Sequence, residues 1–125
     1  MFDFYILITA IVFTLIDSIY LNFVGGYFKN QIKNVQGSPL KVNYLGVAVC
    51  YVFLVIGLYY FIIKPHKSAS DAFLFGLVIY GVYETTNYAL LSNWSIFTVF
   101  MDTLWGGILF ALTTIVINKI KKIAF

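Results

Sequence analysis

The sequence predicts an all-α integral membrane protein, a single bundle of four transmembrane helices. Three observations predict it. The chain is 62% hydrophobic and only 10% charged over 125 residues, whereas a soluble domain is nearer half apolar and a quarter charged. Its mean hydropathy is +0.92, so there is too little polar surface to coat a soluble globule. Finally, the apolar residues fall into four runs of about 20 residues, the length needed to cross about 30 Å of hydrocarbon at about 1.5 Å per residue. Open strands are excluded in such runs, because unpaired backbone groups find no water there.

The first span is predicted over 4–23, "FYILITAIVFTLIDSIYLNF", with Gly25-Gly26 ending it. No cleavable leader is evident, since no lysine or arginine precedes the run and no A-x-A site follows it. The connection that follows is the longest. Phe28, Ile32 and Val35 fall on one side of a helical projection, and Lys29, Asn30, Lys33, Asn34 and Gln36 on the other. This suits either an interfacial amphipathic helix over 27–36 or a loose loop. Gly37-Ser38-Pro39 then turns the chain. The second span is predicted over 44–63, closed by Lys64-Pro65, and the third over 72–91 after the start signal Ser70-Asp71. The fourth runs over 96–117, followed by Lys119, Lys121 and Lys122. Residues 1–125 thus form one domain.

All eight basic residues are lysines and all lie outside the apolar runs. A small positive balance of this kind meets lipid phosphates and argues against nucleic acid as a partner. Four spans put both termini on one side, with Lys64, Lys67, Lys119, Lys121 and Lys122; Lys29, Lys33 and Lys41 fall on the other. The excess favours termini in the cytoplasm. Cys50 is the only cysteine, so no internal disulfide is available, and it reads as a small buried hydrophobe. Gly46 and Cys50, four apart, would permit close helix approach. Asn93-Trp94-Ser95 matches a glycosylation sequon but sits too close to the membrane for a sugar to be expected.

Asp3 and Asp71 lie at span ends, whereas Asp17, Glu84 and Asp102 lie inside spans. Asp17 is six residues before the far end of the first span, Glu84 seven before that of the third, and Asp102 six after the start of the fourth. All three therefore lie roughly 9–10 Å below the same membrane face. Each has helical-spacing companions: Tyr80, Asn87 and Tyr88 with Glu84; Thr98, Trp105 and Gly106 with Asp102; Thr14 and Tyr20 with Asp17. Such stripes should face inward, because lipid cannot satisfy them. Three carboxyl groups together in low dielectric cannot all ionise, so at least one is expected to be protonated at neutral pH.

The pattern Tyr83, Glu84, Thr86, Asn87, Ala89, then Trp94, then Asp102, Trp105 and Gly106 resembles domain-of-unknown-function family 2177. That signature reads approximately Tyr-Asp-x-Thr-Asn-x-Ala, a tryptophan, and Asp-x-x-Trp-Gly. Asp17, Tyr20 and Leu21 resemble its earlier Asp-x-x-Trp-Leu element, and Lys64-Pro65 also fits. The likeness covers nearly the whole chain. It implies a small four-helix membrane protein and no established activity. Two departures change side-chain reach: Glu84 replaces an aspartate and Tyr20 a tryptophan. The mostly bacterial family implies a bacterial cytoplasmic membrane. The Lys-, Ile-, Asn-, Phe- and Tyr-rich composition also fits a large DNA virus, and then a viral or host membrane.

The residues support four functional readings. The first is an intramembrane pocket for a cationic, protonatable or lipid-like ligand, such as a hydrophobic amine. Asp17, Glu84 and Asp102 would meet the charge, Thr86 and Asn87 would add polar contacts, and Tyr20, Tyr80, Tyr83, Tyr88, Trp94 and Trp105 would supply aromatic faces. The second is proton- or cation-coupled transport by a homo-oligomer. In the third the acids only hold helices together. The fourth is a lipid-modifying enzyme using a carboxylic acid as proton donor. Hydrolase signatures such as G-x-S-x-G and H-E-x-x-H are absent, and His66 lies alone in a loop. No cofactor is expected. Three carboxylates without histidine or thiolate partners do not suit a transition metal.

Overall fold

The computed structural model describes residues 3–124 as four helices, with no strand among the described residues. Helix α1 is Phe4–Gln36, and α2 is Tyr44–Leu58, continued by a π-helical stretch Tyr59–Ile63. Helix α3 is Ala69–Leu90 and α4 is Ile96–Ala124. Short connections make them antiparallel in succession. The result is an all-α membrane bundle. Three helical segments, Phe4–Gln36, Tyr44–Ile63 and Ile96–Ile123, are long and apolar enough to cross a membrane. Helix α3 is less apolar, because it carries Asp71, Glu84, Thr85, Thr86 and Asn87. It lies along α4 in the most extensive helix pairing of the molecule.

The exterior of the bundle is greasy, and the polar side chains of the spans are drawn inward, as lipid requires. Leu7, Ile11, Leu15, Ile19 and Phe23 form an exposed stripe on α1, spaced three or four apart as one helical face demands. Glu84, Thr98, Thr113 and Thr114 are fully buried instead.

Two expectations about α1 are corrected. Gly25-Gly26 does not end the helix, and residues 27–36 are not a separate surface helix. The chain stays helical through both glycines to Gln36. A glycine inside a helix costs only about 1 kcal/mol relative to alanine, and contacts of the following turns offset it. The stop is Gly37, whose φ of 76° is left-handed and whose N–H donates to the Lys33 carbonyl at 2.9 Å. At 33 residues, α1 is about 50 Å long. Its start is capped by Asp3, whose Oδ1 accepts from the Tyr5 N–H at 3.0 Å.

The π-helical end of α2 has a local cause. A proline ring collides with the carbonyl four residues back in a regular α-helix. Pro65 would strike that of Phe61. Widening the turn, so that Lys64 N–H reaches Tyr59 O and Lys67 N–H reaches Ile62 O, both at 2.8 Å, shifts that carbonyl. Helix α3 starts slightly earlier than expected, with Ser68 rather than Ser70 as cap; Ser68 Oγ accepts from the Asp71 N–H at 3.1 Å.

Packing divides the bundle into two halves. Near the termini, Phe13, Leu58, Ile63, Ala72, Leu109, Phe110 and Ile117 form a closed core. Phe13 meets Phe110 and Tyr51 edge-on, at centroid distances of 5.6 and 5.9 Å. Helices α3 and α4 touch backbone to backbone. A Cβ on Gly76 would overlap the Gly106 carbonyl oxygen, and one on Gly106 would overlap the Tyr80 ring. Close approach was expected at Gly46 and Cys50 but does not occur there. A Cβ on Gly46 would meet only the Asn43 side chain, and Cys50 is exposed rather than buried. Residues 44–50 of α2 are all exposed, so this half of the bundle is open.

Candidate functional site

Between α2 and the other helices lies a cavity of about 560 Å³. Its polar wall is Asp17 and Tyr20 of α1, Tyr51 of α2, Tyr80 and Tyr83 of α3, and Asp102 of α4. Phe28, Ile32, Leu40, Val47 and Leu54 supply the apolar wall. An adjoining space of about 400 Å³ shares Cys50, Leu54, Tyr80, Tyr83 and Asp102. No lysine lines either.

Asp17 and Asp102 are 7% and 8% exposed, and Glu84 is 0% exposed, so none of the three meets lipid. Trp105 donates its indole N–H to Asp17 Oδ1 at 2.9 Å. Tyr51 donates its hydroxyl to Asp17 Oδ2. In return, Tyr20 of α1 donates to Asp102 Oδ1 of α4 at 3.3 Å. The Tyr20 and Trp105 rings stack at 4.4 Å with only 3° between their planes. The arrangement is reciprocal. In antiparallel helices a step of three along one faces a step of three back along the other. Asp17 and Tyr20 therefore meet Trp105 and Asp102 in crossed order.

Glu84 lies behind this wall. Its Oε1 accepts from the Trp94 indole at 2.9 Å, and it lies one helical turn beyond the Tyr80–Gly106 contact of α3 with α4, beside Asp102. Its other oxygen, Oε2, is sealed from solvent and has no donor among the described residues. Trp94 is held there by the short α3–α4 loop, where Asn93 takes a positive φ of 64°. The distal turns of α1 clamp that loop. The Gln31 amide donates to Asn93 O at 2.8 Å and accepts from Thr98 Oγ1 at 2.9 Å and Ser95 N–H at 3.2 Å. Tyr27 shares a hydrogen bond with Thr98 at 2.6 Å, and Asn93 donates to Asn34 O at 3.2 Å.

The structure thus brings Asp17, Tyr20, Tyr80, Tyr83, Glu84, Trp94, Asp102 and Trp105 into one region, with Asn87 one helical turn from Tyr83 at its edge. Thr86 and Tyr88 do not join it. Thr86 bonds back to the Val82 carbonyl at 2.6 Å, and Tyr88 is 52% exposed. Sequence reasoning missed Tyr51, Gln31 and Tyr27. Among the described residues no three His, Cys, Asp or Glu side chains are grouped to hold a metal ion.

Comparison with known proteins places this site in a family but adds no chemistry. No curated protein and no solved structure matches the chain. The family described as predicted membrane protein (DUF2177) matches residues 2–118, a stretch that contains every group described above. This chain, a multi-pass membrane protein, belongs to that family.

Proposed function

We propose that the protein binds an amphiphile with a cationic or protonatable head, seated between α2 and α3. One observation carries the reading. A cavity of about 560 Å³ has carboxylates at its base, tyrosine faces beside them and an apolar remainder. Ligand sites commonly have this size and make-up, roughly 300–1,000 Å³ and apolar with a few convergent polar groups. Acids in a cavity that no lysine lines favour a positive guest, and aromatic faces add cation–π attraction. The exposed first turns of α2, residues 44–50, support sideways entry from the lipid.

A second reading, acids as structural ties, is favoured by a specific observation for Asp17 alone. Both its oxygens already have donors, Trp105 and Tyr51. Asp102 has a single donor among the described residues, Tyr20, and so keeps accepting capacity for a guest. Transport and lipid chemistry have no comparable observation in their favour.

The test is native mass spectrometry of gently purified protein beside Asp102→Asn and Cys50→Trp. Cys50→Trp fills the cavity without touching an acid. A stoichiometric bound species in the parent, lost in both variants, is the expected result. Each protein at the mass of its bare chain, with no adduct on the parent in any extracted lipid mixture, would refute the pocket.

A further inference from the structure

Gly106 against Tyr80 and Gly81 against Thr103 set the register of antiparallel α3 and α4. That register puts Glu84 and Asp102, one turn beyond, beside one another with too few protons. An ionised carboxylate only accepts hydrogen bonds. Around this pair the donors are Trp94, at Glu84 Oε1, and Tyr20, at Asp102 Oδ1. Neither serves Glu84 Oε2, which is buried and without a donor among the described residues. A buried acceptor left so is costly, and two adjacent anions away from water cannot both persist. The other titratable groups near the pair are Asp17 and Tyr20 on α1, Cys50 and Tyr51 on α2, and Tyr80 and Tyr83 on α3. None of them is a cation.

We infer that Glu84 and Asp102 share one proton while the cavity is empty, and that a cation arriving at Asp102 replaces it, making the pair a proton-for-cation exchange site. The inference rests on the cationic reading of the cavity and adds its regulation. In the empty site the pair bears one negative charge, because one carboxyl O–H bond supplies the missing donor. When a cation seats at Asp102, that O–H bond breaks and the proton leaves through the cavity mouth to water. Two carboxylates and one cation again sum to one negative charge. The site's net charge is therefore the same before and after. In a low-dielectric interior, an exchange that conserves charge avoids the penalty of adding one. Protons and cationic guests then compete, so occupancy falls as the surroundings acidify.

The probe should carry a charge that cannot itself titrate. Dodecyltrimethylammonium meets that need, with dodecanol as the neutral control. The parent protein in neutral-lipid nanodiscs is expected to release about one proton per probe bound, and to lose affinity by up to about tenfold per unit fall in pH. Glu84→Gln keeps an acceptor for Trp94 and offers Asp102 a fixed N–H donor. It is expected to bind the probe without releasing a proton. A second readout needs no variant: the carboxylic C=O infrared band of the empty parent should vanish when the probe binds. Probe binding with no proton release and no change in that band would overturn the exchange and leave the pocket standing. No probe binding by the parent would overturn both.

Discussion

At the scale of residues, similar polar side chains have very different duties. Asp17 joins three helices, because its donors come from α4 and α2. An average interhelical hydrogen bond in a membrane contributes only about 0.6 kcal/mol, but bonds to ionised groups are roughly twice as strong. Asp17→Ala leaves the Trp105 and Tyr51 donors unmet, so unfolding measured by steric trapping is expected to become easier by about 2–4 kcal/mol. Thr86→Ala removes only a bond to its own helix and should change stability by less than about 0.5 kcal/mol. Equal losses in the two variants would show that Asp17 is not a tie. Counting residues from the membrane face was enough to place the three acids together. It was not enough to separate Asn87 from Thr86 or Tyr80 from Tyr88, because a threonine can satisfy itself on the carbonyl four back. The same counting would have found Tyr51. It lies seven residues into α2, at a depth of about 10 Å, level with the acids it serves. It went unnoticed because α2 carries no charge to draw the eye.

At the scale of elements, glycine has opposite meanings at different sites. At Gly26 a Cβ would meet nothing within 4 Å. Gly26→Ala should therefore raise the thermal midpoint in detergent, through a gain of up to about 1 kcal/mol in helix propensity. Gly106→Ala would drive a methyl group into the Tyr80 ring, and a loss of about 1–3 kcal/mol is expected from overpacking. A midpoint lowered by Gly26→Ala would mean that α1 must bend there. Sequence alone could not tell these glycines apart. A pair of glycines at a span end resembles a stop signal, and contacts distant in sequence, the ties of Tyr27, Gln31 and Asn34 to Asn93 and Thr98, keep the helix running. The amphipathic pattern of 27–36 was real, but Phe28 and Ile32 face the cavity rather than a bilayer surface.

At the scale of the molecule, one half is packed and the other is open. Cys50, at the open side and exposed, reports on that opening. A cationic methanethiosulfonate should modify it at least about tenfold faster than an anionic one of similar size, because acids focus positive solutes in a cleft. Equal rates would mean that the thiol faces lipid or a neutral passage. The crossed ties between Asp17–Tyr20 and Asp102–Trp105 also join the first helix made to the last. During synthesis α1 enters the bilayer with a naked carboxyl group; Tyr51 can reach it once α2 follows, but Trp105 is translated some ninety residues later. A chain that stalls before α4 is released with Asp17 lacking its Trp105 donor and Gln31 lacking Thr98. The finished bundle hides both. The same two residues that tie the native protein together thus mark an incomplete one, and offer a membrane protease a simple chemical criterion for removing it.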